Sequence, residues 1–115
     1  MKYMLMIYAS EAQENAMTSA DTQALMQAYT AYTEALASSG ALLAGERLRP
    51  AESATTVRLK GGRTEVLNGP YAETREQLGG YYLLEVEDMA AALRWAARCP
   101  GAAHGIVEVR PIFPA

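Results

Sequence analysis

Few side chains in this chain are suited to chemistry, and they lie far apart. His104 is the sole histidine among 115 residues, and imidazole is the group that exchanges protons closest to neutrality. A general acid or base there needs a substrate or an orienting carboxylate within hydrogen-bond reach. Its neighbours Ala102, Ala103 and Gly105 supply neither, so a surface histidine is the plainer reading. Glu46 follows a run of small and apolar residues. Drawn inward, its carboxylate would be an acid/base candidate; paired with Arg47 or Arg49 at the rim, it would simply be a solvated charge. Asn68, Tyr71, Glu73 and Glu76 form the polar part of a turn-rich stretch that ends in Tyr81. They either line a cleft that binds a small polar ligand or bond locally and hold the turn. Arg110 alternates with Val109 on the last strand, where a guanidinium can clamp a carboxylate or pair with Glu108 or Lys2.

Other chemistries are poorly supported. Cys99 is the sole cysteine, which rules out an internal disulfide. It falls on the apolar arc of a helix, where a thiol is a small buried hydrophobe rather than a reactive group in an electropositive setting. A zinc site needs three or four Cys, His or carboxylate ligands, and no such cluster is visible, so no cofactor or metal is expected. Gly61-Gly62 and Gly79-Gly80 do not open helices and make no phosphate loop. No serine sits in a nucleophile elbow. The net charge of −3 and the scattered basic residues argue against nucleic acid and anionic membrane as partners. The apolar start, Met1 to Tyr8, is too short to span a bilayer and lacks a small-residue cleavage site. A cytoplasmic protein is expected.

The elements that must position these groups follow from periodicity. Tyr3 to Tyr8 is apolar at every position, the mark of a strand covered on both faces. Ala9 to Met17 reads as a loop. A helix starts near Thr18, where Thr18-x-x-Asp21 is a loose capping box. Leu25, Tyr29, Tyr32 and Leu36 lie on one face of it, with the tyrosines as core or as pocket walls, and Gly40 caps its end. Ala41 to Leu48 is a strand ended by Pro50. Thr55–Lys60 and Arg63–Leu67 flank Gly61-Gly62 as a hairpin. Asn68-Gly69-Pro70 is a turn, and Gly79-Gly80 lets the backbone bend or approach a neighbour before a strand over Tyr81–Glu87. Asp88 caps a second helix, with Met89, Ala92, Leu93, Ala96 and Cys99 on its apolar arc and Trp95 at the border. Pro100-Gly101 stops it, and Gly105–Arg110 is the last strand.

The order is β-α-β, hairpin, β-α-β: two split β-α-β units in an α+β ferredoxin-like sandwich with an antiparallel sheet, a single domain over residues 1–115. Both helices cover one face of the sheet. The chain is too short for a second layer on the other face, so a homodimer is expected to cover it.

The stretch Asn68-Gly69-Pro70-Tyr71-Ala72-Glu73-Thr74-Arg75-Glu76-Gln77-Leu78-Gly79-Gly80-Tyr81-Tyr82 resembles the signature of the YCII-related, or DGPF-domain, proteins. That signature runs Asp-Gly-Pro-Phe-Ala-Glu-Thr-Lys-Glu, then a Gly-Gly pair and a tyrosine-rich strand. Met1–Tyr8 resembles the family's opening strand, Glu108–Ile112 its closing strand, and Ala96–Gly101 the end of its second helix. The resemblance implies a dimeric α+β barrel and no settled activity. Genes of this family often accompany extracytoplasmic-function sigma factors. One relative in the broader group is a dehydrochlorinase of a chlorinated hydroquinone, and some members are thought to use a His-Asp pair. Asn68 and Tyr71 stand where the signature has Asp and Phe. No histidine precedes His104, so an early-chain His-Asp pair does not carry over. The expected function is binding of a small polar or aromatic metabolite in a cleft near Asn68, Tyr71, Tyr81 and His104, with cofactor-free acid/base chemistry of the lyase or isomerase kind. The alternative is a non-enzymatic accessory protein associated with a sigma factor.

Overall fold

The first strand sets the layering. In the computed structural model, which describes residues 1–114, β1 (Lys2–Ala9) lies at the centre of a four-stranded sheet. Its odd-numbered side chains Tyr3, Leu5 and Ile7 are buried, while Met4, Met6 and Tyr8 on the other face are half-buried. The chain continues through α1 (Glu11–Asn15), α2 (Ser19–Ser39), β2 (Leu42–Arg47), a 3-10 turn at Ala51–Ser53, β3 (Thr55–Lys60), β4 (Arg63–Asn68), β5 (Gln77–Glu85), α3 (Met89–Arg98), α4 (Gly101–His104) and β6 (Ile106–Pro111). The sheet order is β2-β5-β1-β6 and every neighbouring pair is antiparallel. This is the ferredoxin-like α+β arrangement expected from the sequence. The β3–β4 hairpin is a separate two-stranded sheet, turned at Gly61 and Gly62, both with positive φ, as a two-residue hairpin turn requires.

Registers assign each side chain to a face, because residues directly opposite in an antiparallel pair point the same way. The inner face carries Tyr3, Leu5 and Ile7 from β1, with Leu84 and Tyr82 opposite the first two. Val109 and Val107 of β6 lie opposite Leu5 and Ile7. Tyr32 and Leu36 of α2, with Ala92 and Ala96 of α3 and Cys99 just beyond it, close this core. Tyr32 meets the Tyr82 ring edge-on at 5.4 Å, and its hydroxyl donates 2.7 Å to the Trp95 carbonyl, which satisfies the one polar atom a buried tyrosine carries. The outer face carries Met4 and Met6, with Leu83 and Tyr81 opposite them on β5 and Arg110 and Glu108 on β6. Among the described residues the helices of the core all lie on the opposite, inner face.

Local signals explain the helices. Ser10, Thr18 and Asp88 each accept a backbone N–H three residues on, from Gln13, Asp21 and Ala91, the bond that an N-cap supplies. Gly40 ends α2 at φ 81°, a left-handed turn that needs no Cβ.

Several boundaries differ from the sequence reading. Half of the expected loop over Ala9–Met17 is α1, because Ser10 caps it and Glu11 and Glu14 favour its first turn. β5 begins at Gln77 and ends at Glu85, so Val86 and Glu87 lie outside it. The glycines do not delay the strand. Gly79 is instead the extra residue of a bulge between Ile7↔Gly80 and Tyr8↔Leu78. Leu93 is 52% exposed and leaves the apolar arc on which it was expected. His104 ends α4 rather than sitting in a loop.

The three side chains most completely enclosed are Leu5, Leu36 and Leu84, one each from β1, α2 and β5. Leu84→Ala is expected to lower unfolding free energy by about 2–5 kcal/mol. A urea titration that leaves the midpoint unchanged would contradict this packing.

Candidate functional site

A cavity of about 260 Å3 lies between the first half of α2 and the inner face of β2 and β5. Its origin is visible in the helix–sheet contact. Toward the end of α2, Tyr32 and Leu36 are buried; toward its start, Leu25 and Tyr29 are half-buried. At that end the sheet offers glycine at the inner-face positions Gly45 and Gly80, which lie opposite Tyr82 and Ile7. A Cβ on Gly80 would stand 2.7 Å from the Glu46 carbonyl oxygen. Close approach thus excludes a side chain at Gly80 itself, and this end of the helix has less of the sheet to pack on.

The walls are largely apolar: Ile7, Leu25, Met26, Tyr29 and Leu42 line the space. The polar groups are few. Thr33 Oγ1 and Tyr82 Oη form a hydroxyl pair at 2.7 Å. Arg47 shares the inner face with Gly45 by strand alternation, and its Nη1 lies 3.7 Å from the Met26 sulfur. Glu14 borders the cavity from α1. Beside it, Cys99 is buried, and burial pushes its thiol up, against the Gly101 and Ala102 N–H groups and the Tyr29 hydroxyl, which favour the thiolate. Tyr29, Tyr32 and Tyr82 are all raised above the ordinary 10.0, chiefly by burial.

A second, wider cleft of about 820 Å3 lies between the 48–54 and 70–78 segments, with Tyr8 and Glu11. The walls are fixed by backbone bonds from side chains. Ala51 N–H donates 2.8 Å to Glu11 Oε2, and Glu11 N–H donates 2.9 Å to Gln77 Oε1. Gln77 Nε2 donates 2.6 Å to the Thr74 carbonyl, and Thr74 Oγ1 donates 2.6 Å to that of Glu76.

The residues singled out in the sequence are distributed over three places. Tyr71 and Glu73 line the wide cleft. Tyr71 is 89% exposed. Asn68 ends β4 and lines neither space. Among the described residues neither Asn68 nor Glu73 makes a side-chain hydrogen bond; Thr74 and Gln77 hold the turn instead. Glu46 and Tyr81 border the inner cavity, yet they oppose each other in a register that sends both side chains to the outer face, as it does Arg110. Glu46 is exposed and, among the described residues, forms no ion pair with Arg47 or Arg49. Arg110 likewise forms none with Glu108. His104 is exposed and lines neither space. Of the α2 tyrosines, Tyr29 is a cavity wall and Tyr32 is core. Sequence reasoning missed Thr33, Arg47 and Tyr82; the signal available was the coincidence of Gly45 and Gly79-Gly80 on neighbouring strands, which is legible only once the strands are paired. Among the described residues no group of three or more His, Cys, Asp or Glu is placed to hold a metal.

A four-stranded antiparallel sheet in the order β2-β5-β1-β6 with helices on one face defines a ferredoxin-like α+β protein. The model of the YCII-related domain matches residues 1–115, and the chain belongs to that family. An uncharacterised protein of Rhizobium meliloti (strain 1021) is 33% identical over 114 residues, covering 97% of this chain and 92% of its own. Among solved structures, 5-chloro-2-hydroxyhydroquinone dehydrochlorinase (TftG) from Burkholderia phenoliruptrix AC1100, in complex with 2,5-dihydroxybenzoquinone, is similar with a TM-score of 0.58 and 14% identity. That likeness spans 100% of this chain and 96% of the other, and it shows a shared fold.

The raised phenols predict an alkaline limit. Each is held neutral by the folded protein and ionises more readily once unfolded. Its stabilisation is therefore complete below pH 10 and is lost as pH rises above it. The urea midpoint is expected to hold near neutrality and fall steeply beyond about pH 10, less steeply in Tyr82→Phe. A flat midpoint through that range would contradict the assignment.

Proposed function

We propose that this protein binds a small, ring-containing metabolite in the cavity between α2 and the sheet. The observation that carries the reading is the cavity's size and lining. A space of roughly 150 Å3 holds a benzene ring, so 260 Å3 accommodates one ring with substituents. An apolar body with a few convergent polar groups is the usual form of a small-molecule site. The ligand seen in TftG, 2,5-dihydroxybenzoquinone, is of a size that this cavity would take. The site expected near Asn68, Tyr71 and His104 has less support, since His104 and Asn68 line neither space. Acid/base turnover at the inner cavity would fall to Glu14, since of the two carboxylates that line it, Glu14 and Glu46, the register directs Glu46 to the outer face.

The outer sheet face supports a homodimer as the working form. Met4, Met6, Tyr81 and Leu83 form an apolar band across the two central strands, flanked by Glu46 on one edge strand and by Glu108 and Arg110 on the other. An apolar band with a polar border is the anatomy of a protein interface. An accessory role through protein contacts is the second reading. It draws on the β3–β4 hairpin, where Val57, Leu59 and Val66 share one face and are 60%, 73% and 59% exposed.

Two measurements test these readings. In a thermal-shift screen of phenols, quinols and small organic acids, a ligand at 100 times its dissociation constant adds about 2.7 kcal/mol, or several degrees. The shift is expected to vanish in Leu25→Trp, which fills the cavity; a shift that survives this change places the site elsewhere. Light scattering is expected to give twice the 12.4 kDa chain mass for the wild type and a monomer for Met6→Glu. A monomeric wild type at micromolar concentration would sink the dimer.

A further inference from the structure

The polar groups of the inner cavity are weighted toward donors, and this narrows what it takes. Arg47 stands on the inner face of β2, in register with Gly80. Its guanidinium carries five N–H donors, yet its one side-chain partner among the described residues is the Met26 sulfur at 3.7 Å. A thioether is a weak acceptor. No carboxylate of the described residues forms an ion pair with Arg47. The Thr33–Tyr82 pair adds a second donor. Either hydroxyl can give its proton to the other across 2.7 Å. Whichever does so, one O–H remains without an acceptor, and both residues line the cavity.

The acidic neighbours set the limit on charge. Glu14 lines the same space, and Glu46, next in the chain, points to the other face of the sheet by alternation. Arg47 and Glu14 both line this space, so a ligand with a single negative charge can meet Arg47, while a dianion would bring a second negative charge into a space that already holds Glu14. Planarity matters as well: a guanidinium fork matches a carboxylate in two parallel hydrogen bonds.

We propose that the cavity is specific for a small aromatic monocarboxylate. Its ring lies among Leu25, Tyr29 and Leu42, its carboxylate meets Arg47, and the free hydroxyl of the Thr33–Tyr82 pair donates to one of its oxygens. This rests on the cavity being the binding site and adds the charge and class of what binds there.

Calorimetry on the full chain with benzoate, benzamide and phthalate separates the two levels. Benzoate and benzamide have the same size and shape and differ in charge. A charge-assisted hydrogen bond favours benzoate by about tenfold or more, and phthalate, a dianion, binds more weakly than benzoate. Arg47→Gln is expected to bring benzoate down to the benzamide affinity. Arg47→Lys, which keeps the charge without the fork, retains part of the preference. Arg47 is exposed, so both variants fold. Equal affinities in the wild type, or a preference that persists in Arg47→Gln, overturns the carboxylate assignment. If those equal affinities both disappear in Leu25→Trp, the cavity stands as the site and only the assignment falls. If neither benzoate nor benzamide binds the wild type, the cavity reading itself fails.

Discussion

The division of β1 between two faces governs the rest of the molecule. Tyr3, Leu5 and Ile7 bury themselves under α2 and α3, and Met4, Met6 and Tyr8 are left on the far side. β1 is the strand to which both β5 and β6 are hydrogen-bonded. A slip of one residue would exchange the two sets, placing methionines under the helices and Tyr3 and Leu5 on the open face. The inner set is the one with partners of matched shape: Leu84 and Tyr82 from β5, Val109 and Val107 from β6. Burial of that set orders the sheet, and the open face is what remains.

The cavity is a consequence of the same sheet running short of side chains. Where β5 pairs with β2, Gly80 opposes Arg47 and Tyr82 opposes Gly45. A Cβ on Gly45 would lie 2.6 Å from the Tyr82 ring, so the ring occupies the space that a side chain on β2 would need. Tyr82 in turn reaches Thr33 on α2 with its hydroxyl. One residue therefore fills the gap over Gly45 and ties the helix to the sheet, at the inner limit of the space left over Gly80. Filling that space from the helix side would require larger groups than Leu25 and Tyr29. The close Gly80–Glu46 backbone approach within the β2–β5 pair leaves no side chain at Gly80 to fill it.

Much of the architecture was legible because it rests on local rules. The caps at Thr18 and Asp88, the Gly40 helix end, the Gly61-Gly62 turn and the burial of Cys99 all follow from residue type and immediate neighbours, whereas the Ser10 cap of α1 was not legible in a stretch without clear periodicity. The ferredoxin-like order followed from the succession of elements, and the Asn68–Tyr82 signature pointed to the family. The site was legible only in fragments. Tyr29 was visible as a wall because helical spacing shows which face it takes. Arg47 and Thr33 were not, since their importance depends on Gly80 lying opposite one and Tyr82 meeting the other, and neither pairing is encoded in spacing along the chain. Glu46 was picked out as a carboxylate after a small, apolar run and Tyr81 as the end of the polar, turn-rich stretch, and both are at the cavity's edge, but a one-position difference in strand parity turns their side chains away from it.

The family signature itself takes on a structural meaning in this arrangement. Its polar half, from Tyr71 to Gln77, walls the wide cleft, and its glycine half, Gly79-Gly80, floors the inner cavity. The two are joined by the bulge at Gly79, whose carbonyl accepts the Leu48 N–H at 2.8 Å. A bulge inserts one residue and increases local twist, so this short segment carries β5 out of the loop and across the mouth of β2 in a single step. Asn68 and Tyr71 replace the signature's Asp and Phe at positions where no side chain reaches the inner cavity. Gly80, by contrast, cannot be replaced without a Cβ meeting backbone, 2.7 Å from the Glu46 oxygen. Within the signature, Gly80 and Tyr82 therefore shape the inner cavity together: Gly80 brings β2 and β5 close and leaves room beneath the helix, and Tyr82 bounds that room and reaches Thr33.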